Sequence, residues 1–377
     1  MKIVMIGTAA NCVLGFREPL IRELIAKGYK VYAFAIDYTD EQRQLLKSLG
    51  VIPIDYDLTR SGLNMLADLK MMFQLKVKLE DITPDIVLSY FVKPVIYGTL
   101  AARLAKVPIR IAMLEGLGYV HTPTENGFGF KKKALQIIQG FLFTLSFKFA
   151  SKVIFLNPDD PKDLSKTTLF SKSKVEVLGG IGLKLLDYPY SKPNMNKPIR
   201  FIFVARLLAE KGIYQLIKAI KLVQKKYPNT ELVVLGGLDE GNPAGLTKKD
   251  LKNLIKQEII IYPGQVSNVS EWLNDSHIFI LPSYYREGVP RSTQEAMAIG
   301  RPILTTDVPG CRETVVDGEN GFLVPAFDVE KLTKKMMWFV EHPEQIGPMG
   351  LASRRMAEER FDVHKVNARM LEIMELK

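Results

Sequence analysis

Residues Leu281–Gly300 read LPSYYREGVPRSTQEAMAIG and predict a strand, a loop and a helix in immediate succession. The apolar run that leads into this stretch predicts a buried strand, and Gly288 allows a turn without steric penalty. Pro290 suits the first position of a helix, because that position needs no backbone N–H donor. Glu287 is therefore expected in the loop and Glu295 one to two turns into the helix. A helix N-terminus that follows a strand can bind an anion, and acids beside it can bind hydroxyl groups of the same ligand.

The composition is that of a globular chain large enough for two domains. The 377 residues exceed one ordinary domain of roughly 100 to 200 residues. The net charge of +10 favours an anionic partner, which nucleic acid, anionic lipid or a phosphorylated substrate can each provide. Cys12 and Cys311 are too far apart to suggest a disulfide scaffold or a zinc site. The start MKIVMIG predicts a buried strand and not a signal peptide, and no apolar run reaches the roughly 20 residues of a membrane span. We therefore expect a cytoplasmic protein, soluble or peripheral to a membrane.

Apolar runs alternate with amphipathic stretches in both halves of the chain. The predicted strands are Lys2–Ile6, Lys30–Ile36, Val51–Asp55, Asp85–Tyr90, Ile109–Leu114, Lys152–Leu156, Arg200–Val204, Glu231–Leu235, Glu258–Tyr262 and His277–Leu281. The predicted helices include Phe16–Lys27, Gln42–Leu49, Leu63–Leu79, Pro94–Ala105, Asp328–His342 and Asp362–Leu376. Strands that alternate with helices predict parallel sheets covered on both faces. The polar linker Ser191–Lys197 separates the halves. The expected fold is α/β, with two Rossmann-like doubly wound domains that face each other across a cleft.

The loop after the first strand, TAANCVLG, lacks the pattern G-x-G-x-x-G, which argues against a dinucleotide-dependent dehydrogenase. In the second half, the strand RFIFV is followed by ARLLAEKG, which contains Arg206 and Lys211. Ligands of open α/β sheets bind at the carboxyl ends of the strands, where a guanidinium and an ammonium group can hold a diphosphate. The alternative is that both are solvated residues at a helix start. Gly236 and Gly237 follow the next strand and allow close approach of a ligand, or form only a turn.

These loops, with Gly264 and the pair Glu287-x7-Glu295, resemble glycosyltransferase family 4, a retaining group with the GT-B fold. The resemblance implies that Arg206 and Lys211 hold the diphosphate of a nucleotide-sugar donor, that Glu287 contacts the donor sugar and that Glu295 binds the ribose hydroxyls. The expected donor-binding residues are Arg206, Lys211, Gly236, Gly237, Val266, Glu287, Gly288, Val289, Pro290 and Glu295. The expected domains are an acceptor-binding domain 1–193, a donor-binding domain 194–361 and a C-terminal helix 362–377 that returns to the first domain.

The N-terminal half resembles a narrower group, the bacterial transferases of O-antigen, capsule and lipid-linked glycan assembly. The segments that carry this resemblance are NCVLGFREP (11–19), SYFVKPVIYG (89–98), LEGLG (114–118) and FLNPDD (155–160). They are similar to transferases that add N-acetylgalactosamine (GalNAc) to undecaprenyl-diphosphate-linked sugars. Many members carry a histidine near the end of the strand Ile109–Leu114, where this sequence has Glu115. The expected acceptor-binding residues are Asn11, Arg17, Lys93, Gly116, Gly118 and His121.

Glu115 is a candidate base, or a group that orients the acceptor hydroxyl, because a carboxylate at a strand end can accept its proton. The alternative is a loop acid that caps the next turn. Arg17 and Lys93 are candidate ligands of the acceptor diphosphate, although Arg17 fits a solvated first-turn residue equally well. The candidate catalytic residues are Glu287, Glu115, Arg206 and Lys211.

Two basic, apolar helices are predicted in the N-terminal half. Lys131–Lys133 precede Ala134–Phe149, and Leu63–Lys78 contains three lysines. Such helices can lie in a bilayer interface, where their lysines contact anionic lipid. The alternative is that their apolar faces are part of the hydrophobic core of the domain. No nucleic-acid-binding motif accompanies the positive charge, so nucleic acid is not an expected partner. The preferred partner is the cytoplasmic face of a bacterial inner membrane.

The resulting hypothesis is a retaining glycosyltransferase that moves GalNAc or a related hexose from a UDP-sugar to an undecaprenyl-diphosphate-linked saccharide. No cofactor is expected. Asp55-Tyr56-Asp57 lies in the first half, away from the expected donor diphosphate, so cationic side chains and not a metal are expected to stabilise the leaving group. Two alternatives remain open, a sugar-nucleotide epimerase of the same fold and a sugar-nucleotide-binding protein without catalytic activity.

Overall fold

Contacts between residues divide the chain into two units, each built on its own parallel sheet. The computed structural model describes residues 1–59, 64–239, 242 and 244–376. The first unit comprises residues 1–121, 128–181 and the segment from 365 onward, and the second comprises 122–127 and 182–364. The predicted α/β class, with two doubly wound parallel sheets, is confirmed. The domain boundaries at residues 193 and 361 stay predictions.

Seven parallel strands form the sheet of the first unit. The strands are β1 Lys2–Ile6, β2 Lys30–Ala35, β3 Ile52–Asp55, β4 Ile86–Tyr90, β5 Ile109–Leu114, β6 Lys152–Phe155 and β7 Val175–Val177. The helices are α1 Ala10–Cys12, α2 Glu18–Ala26, α3 Asp40–Ser48, α4 Met65–Ile82, α5 Thr99–Leu104, α6 Phe130–Phe149 and α7 Asp159–Leu164. The strand order is β3-β2-β1-β4-β5-β6-β7. The order therefore reverses between β1 and β4, and the loops after these two strands flank the ligand-binding position of a doubly wound fold.

Six parallel strands form the sheet of the second unit. The strands are β8 Arg200–Val204, β9 Glu231–Leu235, β10 Ile261–Gly264, β11 Ile278–Leu281, β12 Ile303–Thr306 and β13 Gly321–Val324. The helices are α8 Ile213–Lys226, α9 Lys248–Lys256, α10 Val269–Asn274, α11 Arg291–Ile299, α12 Val329–Glu341 and α13 Ile346–Arg360, and a last helix, α14, spans Val363–Ile373. The strand order is β10-β9-β8-β11-β12-β13, which reverses between β8 and β11.

The central strands are buried on both faces, which explains why they are continuous apolar runs in the sequence. Every side chain from Ile3 to Ile6 in β1 is inaccessible to solvent, as are those from Phe201 to Phe203 in β8. Parallel strands covered by helices lose the alternation of a half-exposed strand. The regular apolar runs of the sequence therefore identified these strands correctly.

The structure departs from the predicted elements where the local pattern is weak. Strand β7 has only three residues, and β12 begins directly after Pro302. Neither strand therefore forms an apolar run that stands out in the sequence. Strand β10 pairs irregularly with β9 and starts at Ile261, three residues later than predicted. Leu63, the predicted start of the helix that corresponds to α4, lies outside the described residues. Pro290 precedes α11 as its N-cap residue and is not the first helical residue.

Two π-helical segments interrupt the helices that follow β1 and β4. Residues Val13–Arg17 and Pro94–Gly98 form these wider turns, where the sequence predicted continuous α-helices at Phe16–Lys27 and Pro94–Ala105. π-Helical turns are rare and are found frequently at functional sites. Both flank the reversal point of the first sheet, and Arg17 lies at the end of the first one.

Gly212 allows the loop after β8 to pack against the loop after β11. Its φ is 81°, a left-handed conformation, and a Cβ atom there would overlap the carbonyl group of Pro282. Gly236 (φ 140°) makes a similar close approach to the carbonyl group of Ala205. The sequence left open whether Gly236 allows a ligand to approach or only forms a turn, and the neighbouring protein backbone already requires a residue without a side chain here.

We expect Gly212→Ala to destabilise the second unit more than Gly318→Ala does. Gly318 is the matched control, because it has the same φ of 81° but no atom within 4 Å of the place that a Cβ atom would occupy. The control should show only the left-handed penalty of about 1–2 kcal/mol. Overlap with Pro282 should add about 1–3 kcal/mol. Urea unfolding of the two variants measures the difference in the free energy of unfolding. An equal loss in both variants would show that the loop after β11 moves away from the added methyl group without cost.

Candidate functional site

In the second unit, the carbonyl group of Glu210 fastens the loop after β8 to the loop after β11. It accepts the backbone N–H groups of Tyr284 at 2.9 Å and Tyr285 at 3.1 Å. The hydroxyl of Ser283 lies 3.1 Å from the same carbonyl oxygen. These contacts hold the two loops together at the reversal point of the sheet, where α/β folds bind their ligands.

An ion pair between Lys211 and Glu287 lies where these loops meet. The ammonium group of Lys211 contacts Glu287 Oε1, and the two side chains are 14% and 12% exposed. Ser283 Oγ is 3.1 Å from the same carboxylate oxygen. The Lys211 ammonium also lies 4.9 Å from the centre of the Tyr285 ring. The structure thus brings together two of the predicted donor-site residues from opposite loops.

The charge of Glu287 also affects Cys311, which is fully buried. Burial, together with the nearby Glu287 carboxylate, raises the pKa of the Cys311 thiol to about 12. The thiol is therefore protonated at neutral pH and packs as a small apolar group. Gly310, beside it, has a φ of 84° and lies against the carbonyl groups of Glu287 and Gly288.

Arg206 lies on the same loop as Lys211 but has a different partner. Its guanidinium is 3.2 Å from Asp239 Oδ2, and its side chain is 58% exposed. The structure does not bring Arg206 to the Lys211 and Glu287 pair. An exposed ion pair of this kind contributes only about 0–1 kcal/mol. The Arg206 side chain can therefore leave Asp239 at little cost.

Glu295 is held on α11 by two hydrogen bonds to one of its oxygens. Tyr188 OH and Arg291 Nε each donate to Glu295 Oε1 over 3.0 Å. Burial, with a further contribution from the Glu295 carboxylate, raises the pKa of Tyr188. Because Tyr188 is 107 positions away in sequence, no local pattern could have indicated this contact.

The remaining predicted donor residues fall into two groups. Gly288, Val289 and Pro290 are buried at the start of α11, and Gln294 Nε2 donates to the Val289 carbonyl over 3.2 Å. Gly237 follows β9, Gly264 is the last residue of β10, and Val266 lies in the loop after β10. Gly236 is held against β10, because its N–H donates to the Gly264 carbonyl over 3.0 Å and its carbonyl accepts a 2.8 Å hydrogen bond from Tyr262 OH.

In the first unit, Arg17 and Glu115 form a buried ion pair. Their side chains are 5% and 8% exposed, and the Arg17 guanidinium lies 4.7 Å above the centre of the Tyr90 ring. The interpretation of Arg17 as a solvated first-turn residue is therefore wrong. Burial raises the pKa of Glu115, and the positive charge of Arg17 opposes this shift.

Lys93 has a buried acidic partner that the sequence did not predict. Its ammonium is 2.9 Å from Asp68 Oδ1, and the side chains are 14% and 2% exposed. The other acceptor candidates lie in α1 and in the segment after β5. Asn11 Oδ1 accepts a 2.7 Å hydrogen bond from Gln42, and His121 Nε2 lies 3.0 Å from Gln139 Oε1. Gly116 and Gly118 adopt positive φ values of 103° and 72°.

The sequence prediction missed Ser283, Tyr188 and Asp68. Ser283 lies within the stretch quoted first and offered a local signal, a hydroxyl four residues before Glu287. The other two are brought to their partners only by the fold.

Over the described ranges, no three His, Cys, Asp or Glu side chains converge as metal ligands would. Asp55 of the Asp55-Tyr56-Asp57 motif pairs with Arg43 over 2.6 Å.

We expect Arg17→Met to steepen the pH dependence of stability. At pH values between the ordinary pKa of 4.5 and the raised pKa of the folded state, Glu115 is protonated in the folded protein and ionised in the unfolded chain. The free energy of unfolding therefore falls as the pH rises above 4.5. Without Arg17 the folded pKa is higher, so the fall of about 1.4 kcal/mol per pH unit continues to higher pH. Urea unfolding from pH 4.5 upward measures it. Arg22→Met, whose side chain is 58% exposed, is the control, and identical profiles for the two variants would contradict the coupling.

Comparison with known proteins assigns the family. The family model "Glycosyl transferase 4-like" matches residues 2–157, and "Glycosyl transferases group 1" matches residues 189–356. The chain is 30% identical over 353 residues to the N,N'-diacetylbacillosaminyl-diphospho-undecaprenol alpha-1,3-N-acetylgalactosaminyltransferase of Campylobacter jejuni subsp. jejuni, covering 90% of each chain. It is 26% identical to the capsular polysaccharide biosynthesis glycosyltransferase CapM of Staphylococcus aureus, covering 82% of this chain and 80% of that one.

Among solved structures, the HepE protein of Anabaena in complex with UDP has the same fold. The two superpose with a TM-score of 0.76 at 18% identity, over the full length of both chains. Both halves of the sequence and both sheets thus agree with one assignment. The chain belongs to glycosyltransferase family 4 and is an enzyme of the GT-B fold.

Proposed function

We propose that the protein transfers GalNAc, or a related hexose, from a UDP-sugar to an undecaprenyl-diphosphate-linked saccharide. The observation that carries this proposal is the 30% identity, over nine-tenths of both chains, to the Campylobacter N-acetylgalactosaminyltransferase. The geometry agrees with it, because each unit has paired charges in the loops at the reversal point of its sheet. A diphosphate on the donor and another on the acceptor would each need cations.

The Lys211 and Glu287 pair supports a donor site in the second unit. A bound diphosphate carries more negative charge than one carboxylate, so it competes with Glu287 for the Lys211 ammonium. Displacement leaves the Glu287 carboxylate to accept hydrogen bonds from hydroxyl groups of the donor sugar. Arg206, which is exposed and weakly paired, can turn toward the same phosphates. As the bond to the sugar breaks, both cations stabilise the charge that develops on the departing UDP.

Glu295 has a distinct role in this proposal. Its carboxylate is fixed by Tyr188 and Arg291 through Oε1. A fixed carboxylate is suited to two adjacent hydroxyl groups, such as those of a ribose, because its geometry needs no rearrangement on binding. Loss of Glu295 should therefore weaken donor binding more than it slows the chemical step.

The Arg17 and Glu115 pair supports an acceptor site in the first unit. Burial raises the pKa of Glu115, which makes the carboxylate a stronger proton acceptor than an exposed one. An acceptor diphosphate that draws Arg17 away would strengthen this effect, because Arg17 is what opposes the shift. Glu115 could then take the proton of the acceptor hydroxyl as the new glycosidic bond forms.

An apolar and basic surface of the first unit supports contact with a membrane. We name it the α4/α6 surface. It comprises the exposed side chains Leu66, Leu69, Phe73 and Val77 of α4 and Phe130, Ile137, Ile138, Phe141 and Leu145 of α6, with Lys70 and Lys131–Lys133. Both helices pack against α5, so their exposed faces belong to one side of the sheet. Leu66 and Phe130 are 83% and 87% exposed. Among the described helices, none combines the length and apolarity needed to cross a bilayer.

The anionic surface of a bacterial inner membrane would complement this arrangement. Exposed aromatic and aliphatic side chains can enter the headgroup region while lysines meet anionic lipid. The alternative interpretation, that the faces of these helices are only domain core, does not account for side chains such as Phe141, which is 68% exposed. A lipid-linked acceptor would then be delivered in the plane of the membrane.

A transfer assay tests the donor site. Radiolabelled UDP-sugars are offered with undecaprenyl-diphosphate-linked saccharides, and transfer to the organic phase and release of UDP are measured. We expect Lys211→Met and Glu287→Gln each to lower kcat by about 100- to 1,000-fold, because each removes a preorganised charge at the reacting centre. Lys334→Met is the matched control, since it breaks an exposed lysine and glutamate pair on α12.

Three results would count against this proposal. Wild-type rates in folded Lys211→Met and Glu287→Gln would overturn the site assignment. Conversion of one UDP-sugar into another without acceptor would indicate an epimerase. UDP-sugar binding with no turnover on any acceptor of the panel would indicate a binding protein.

Vesicle co-sedimentation tests the α4/α6 surface. We expect the double variant Phe73→Ser/Phe141→Ser to bind anionic vesicles at least about tenfold more weakly, because each exposed aromatic loses its apolar burial in the interface. The control Leu222→Ser/Leu351→Ser removes two similarly exposed side chains from the second unit, 49% and 43% exposed. Equal loss in both double variants, or equal binding to neutral and anionic vesicles, would refute this membrane surface.

A further inference from the structure

In the second unit, the loop after β11 has a hydrogen bond to a segment from the first half of the sequence. The backbone N–H group of Arg286 donates to Thr122 Oγ1 over 3.1 Å, across 164 positions. Thr122 is 2% exposed, and a hydrogen bond shielded from water is stronger than one in bulk solvent. By its contacts, the segment 122–127 belongs to the second unit. The sequence prediction assigned no role to Thr122.

The segment 122–127, which we name the 122–127 turn, closes on itself. The N–H groups of Thr124 and Gly127 each donate to the carbonyl of the other, over 3.1 and 2.8 Å, and Thr124 Oγ1 donates to the Gly127 carbonyl over 2.7 Å. Gly127 has a φ of 78°, which favours glycine. Pro123 restricts the backbone between Thr122 and these hydrogen bonds. The turn therefore keeps its shape by its own contacts, and it can serve as a rigid support for Thr122.

The Thr122 hydroxyl completes the set of acceptors for the loop after β11. Four successive backbone N–H groups, from Tyr284 to Glu287, each have an acceptor. Three of these groups donate to carbonyl groups of the loops after β8 and β11. The N–H of Arg286 donates instead to Thr122. Thr122 thus fixes the backbone at the residue directly before Glu287, whose carboxylate contacts Lys211.

The 122–127 turn also lies near this loop at a second residue. Burial raises the pKa of the Tyr284 phenol to about 12, and the carboxylates of Glu210 and then Glu125 add to this shift. Glu125 is exposed, between the two residues that close the turn. The turn and the loop are therefore neighbours along more than one hydrogen bond.

A purely structural role for Thr122 would be to fasten the turn to the second unit. That role predicts a loss of stability when the hydrogen bond is removed, but no specific loss of catalysis. The position of Arg286 next to Glu287 favours a further role. Reacting groups must be held in place closely, because a displacement of about 1 Å can lower a rate about 100-fold.

We propose that Thr122 is a positioning residue of the donor site, whose hydroxyl oxygen holds the backbone at Arg286 so that the Glu287 carboxylate faces the donor sugar. The inference rests on the proposed function, in which Glu287 accepts hydrogen bonds from hydroxyl groups of that sugar. Lys211, which would hold the diphosphate, lies on the loop after β8, and the hydrogen bonds of the Glu210 carbonyl remain when Thr122 is changed. Thr122 therefore affects the chemical step and leaves binding of the UDP moiety unchanged.

Steady-state kinetics with UDP-sugar and lipid-linked acceptor provide the first test. Thr122→Val keeps the shape of the side chain but removes the oxygen that accepts from Arg286. We expect it to lower kcat by about 10- to 100-fold, as displacement of a catalytic group predicts. Thr122→Ser retains the oxygen and should restore most of kcat. Thr333→Val is the matched control and should keep the wild-type kcat, because its buried hydroxyl donates to the Val329 carbonyl within α12 over 2.7 Å.

A double-mutant cycle shows whether Thr122 acts through Glu287. Changes to residues that act as a unit are not additive. In the Glu287→Gln background, Thr122→Val should therefore cause no further loss of kcat. A loss as large as in the wild-type background would overturn the proposal. Wild-type kcat in Thr122→Val, or no recovery in Thr122→Ser, would overturn it as well.

Measurements without acceptor separate this inference from the proposed function. We expect the Arg286 amide hydrogen, followed by NMR, to exchange about three- to tenfold faster in Thr122→Val, as the loss of one hydrogen bond predicts. It should stay protected in Thr122→Ser and Thr333→Val. Calorimetric titration with UDP should give the same Kd for Thr122→Val and the wild type.

If the wild type transfers no sugar to any acceptor, the proposed function fails, but these measurements still decide whether Thr122 holds the loop. Unchanged exchange at Arg286 in Thr122→Val would refute that role. Weaker UDP binding by Thr122→Val, to the same extent as its loss of kcat, would show a general disruption of the site and would also refute it.

Discussion

The backbone carbonyl of Glu210 is the point on which the second unit's site depends. It accepts hydrogen bonds from two successive N–H groups of the loop after β11, and Gly212 lets the chain pass the carbonyl of Pro282 without overlap. Only with the loops in this position can Lys211 reach Glu287. The charges at the site are thus fixed by backbone geometry, and side-chain packing adds Ser283 and Tyr285 around them.

Opposite charges are paired at the reversal point of each sheet. A half-buried or buried ion pair gains little net stability, because desolvation of the two charges offsets their attraction. Arg17 with Glu115, and Lys211 with Glu287, are therefore poorly explained as stabilising devices alone. Each pair keeps an acid and a base desolvated and in contact, ready to exchange partners when a more highly charged ligand arrives. This arrangement suits the proposed transfer between two diphosphate-containing substrates.

The first unit also has polar groups that the fold leaves incompletely satisfied. Ser89 Oγ and Tyr90 OH are buried and have no hydrogen-bond partner within the described chain. Ser89 and Tyr90 end β4, and Asp68 is tied through Lys93 to the segment that follows. Unsatisfied groups near the carboxyl ends of central strands are expected where a ligand completes the structure. These unsatisfied groups therefore lower the stability of the first unit in the region where acceptor binding is proposed.

The sequence by itself determined the α/β class, most strands and the family. Parallel strands buried on both faces are continuous apolar runs, and Arg206, Lys211, Glu287 and Glu295 stand at recognisable spacings, so local pattern was sufficient. It also placed Lys211 and Glu287 in loops at the correct ends of β8 and β11. The partners of these residues were decided only by the tertiary structure. Asp68, Tyr188 and Asp239 meet Lys93, Glu295 and Arg206 through contacts that span 25, 107 and 33 positions. Such contacts depend on strand order and loop packing, which leave no periodic signal in the sequence.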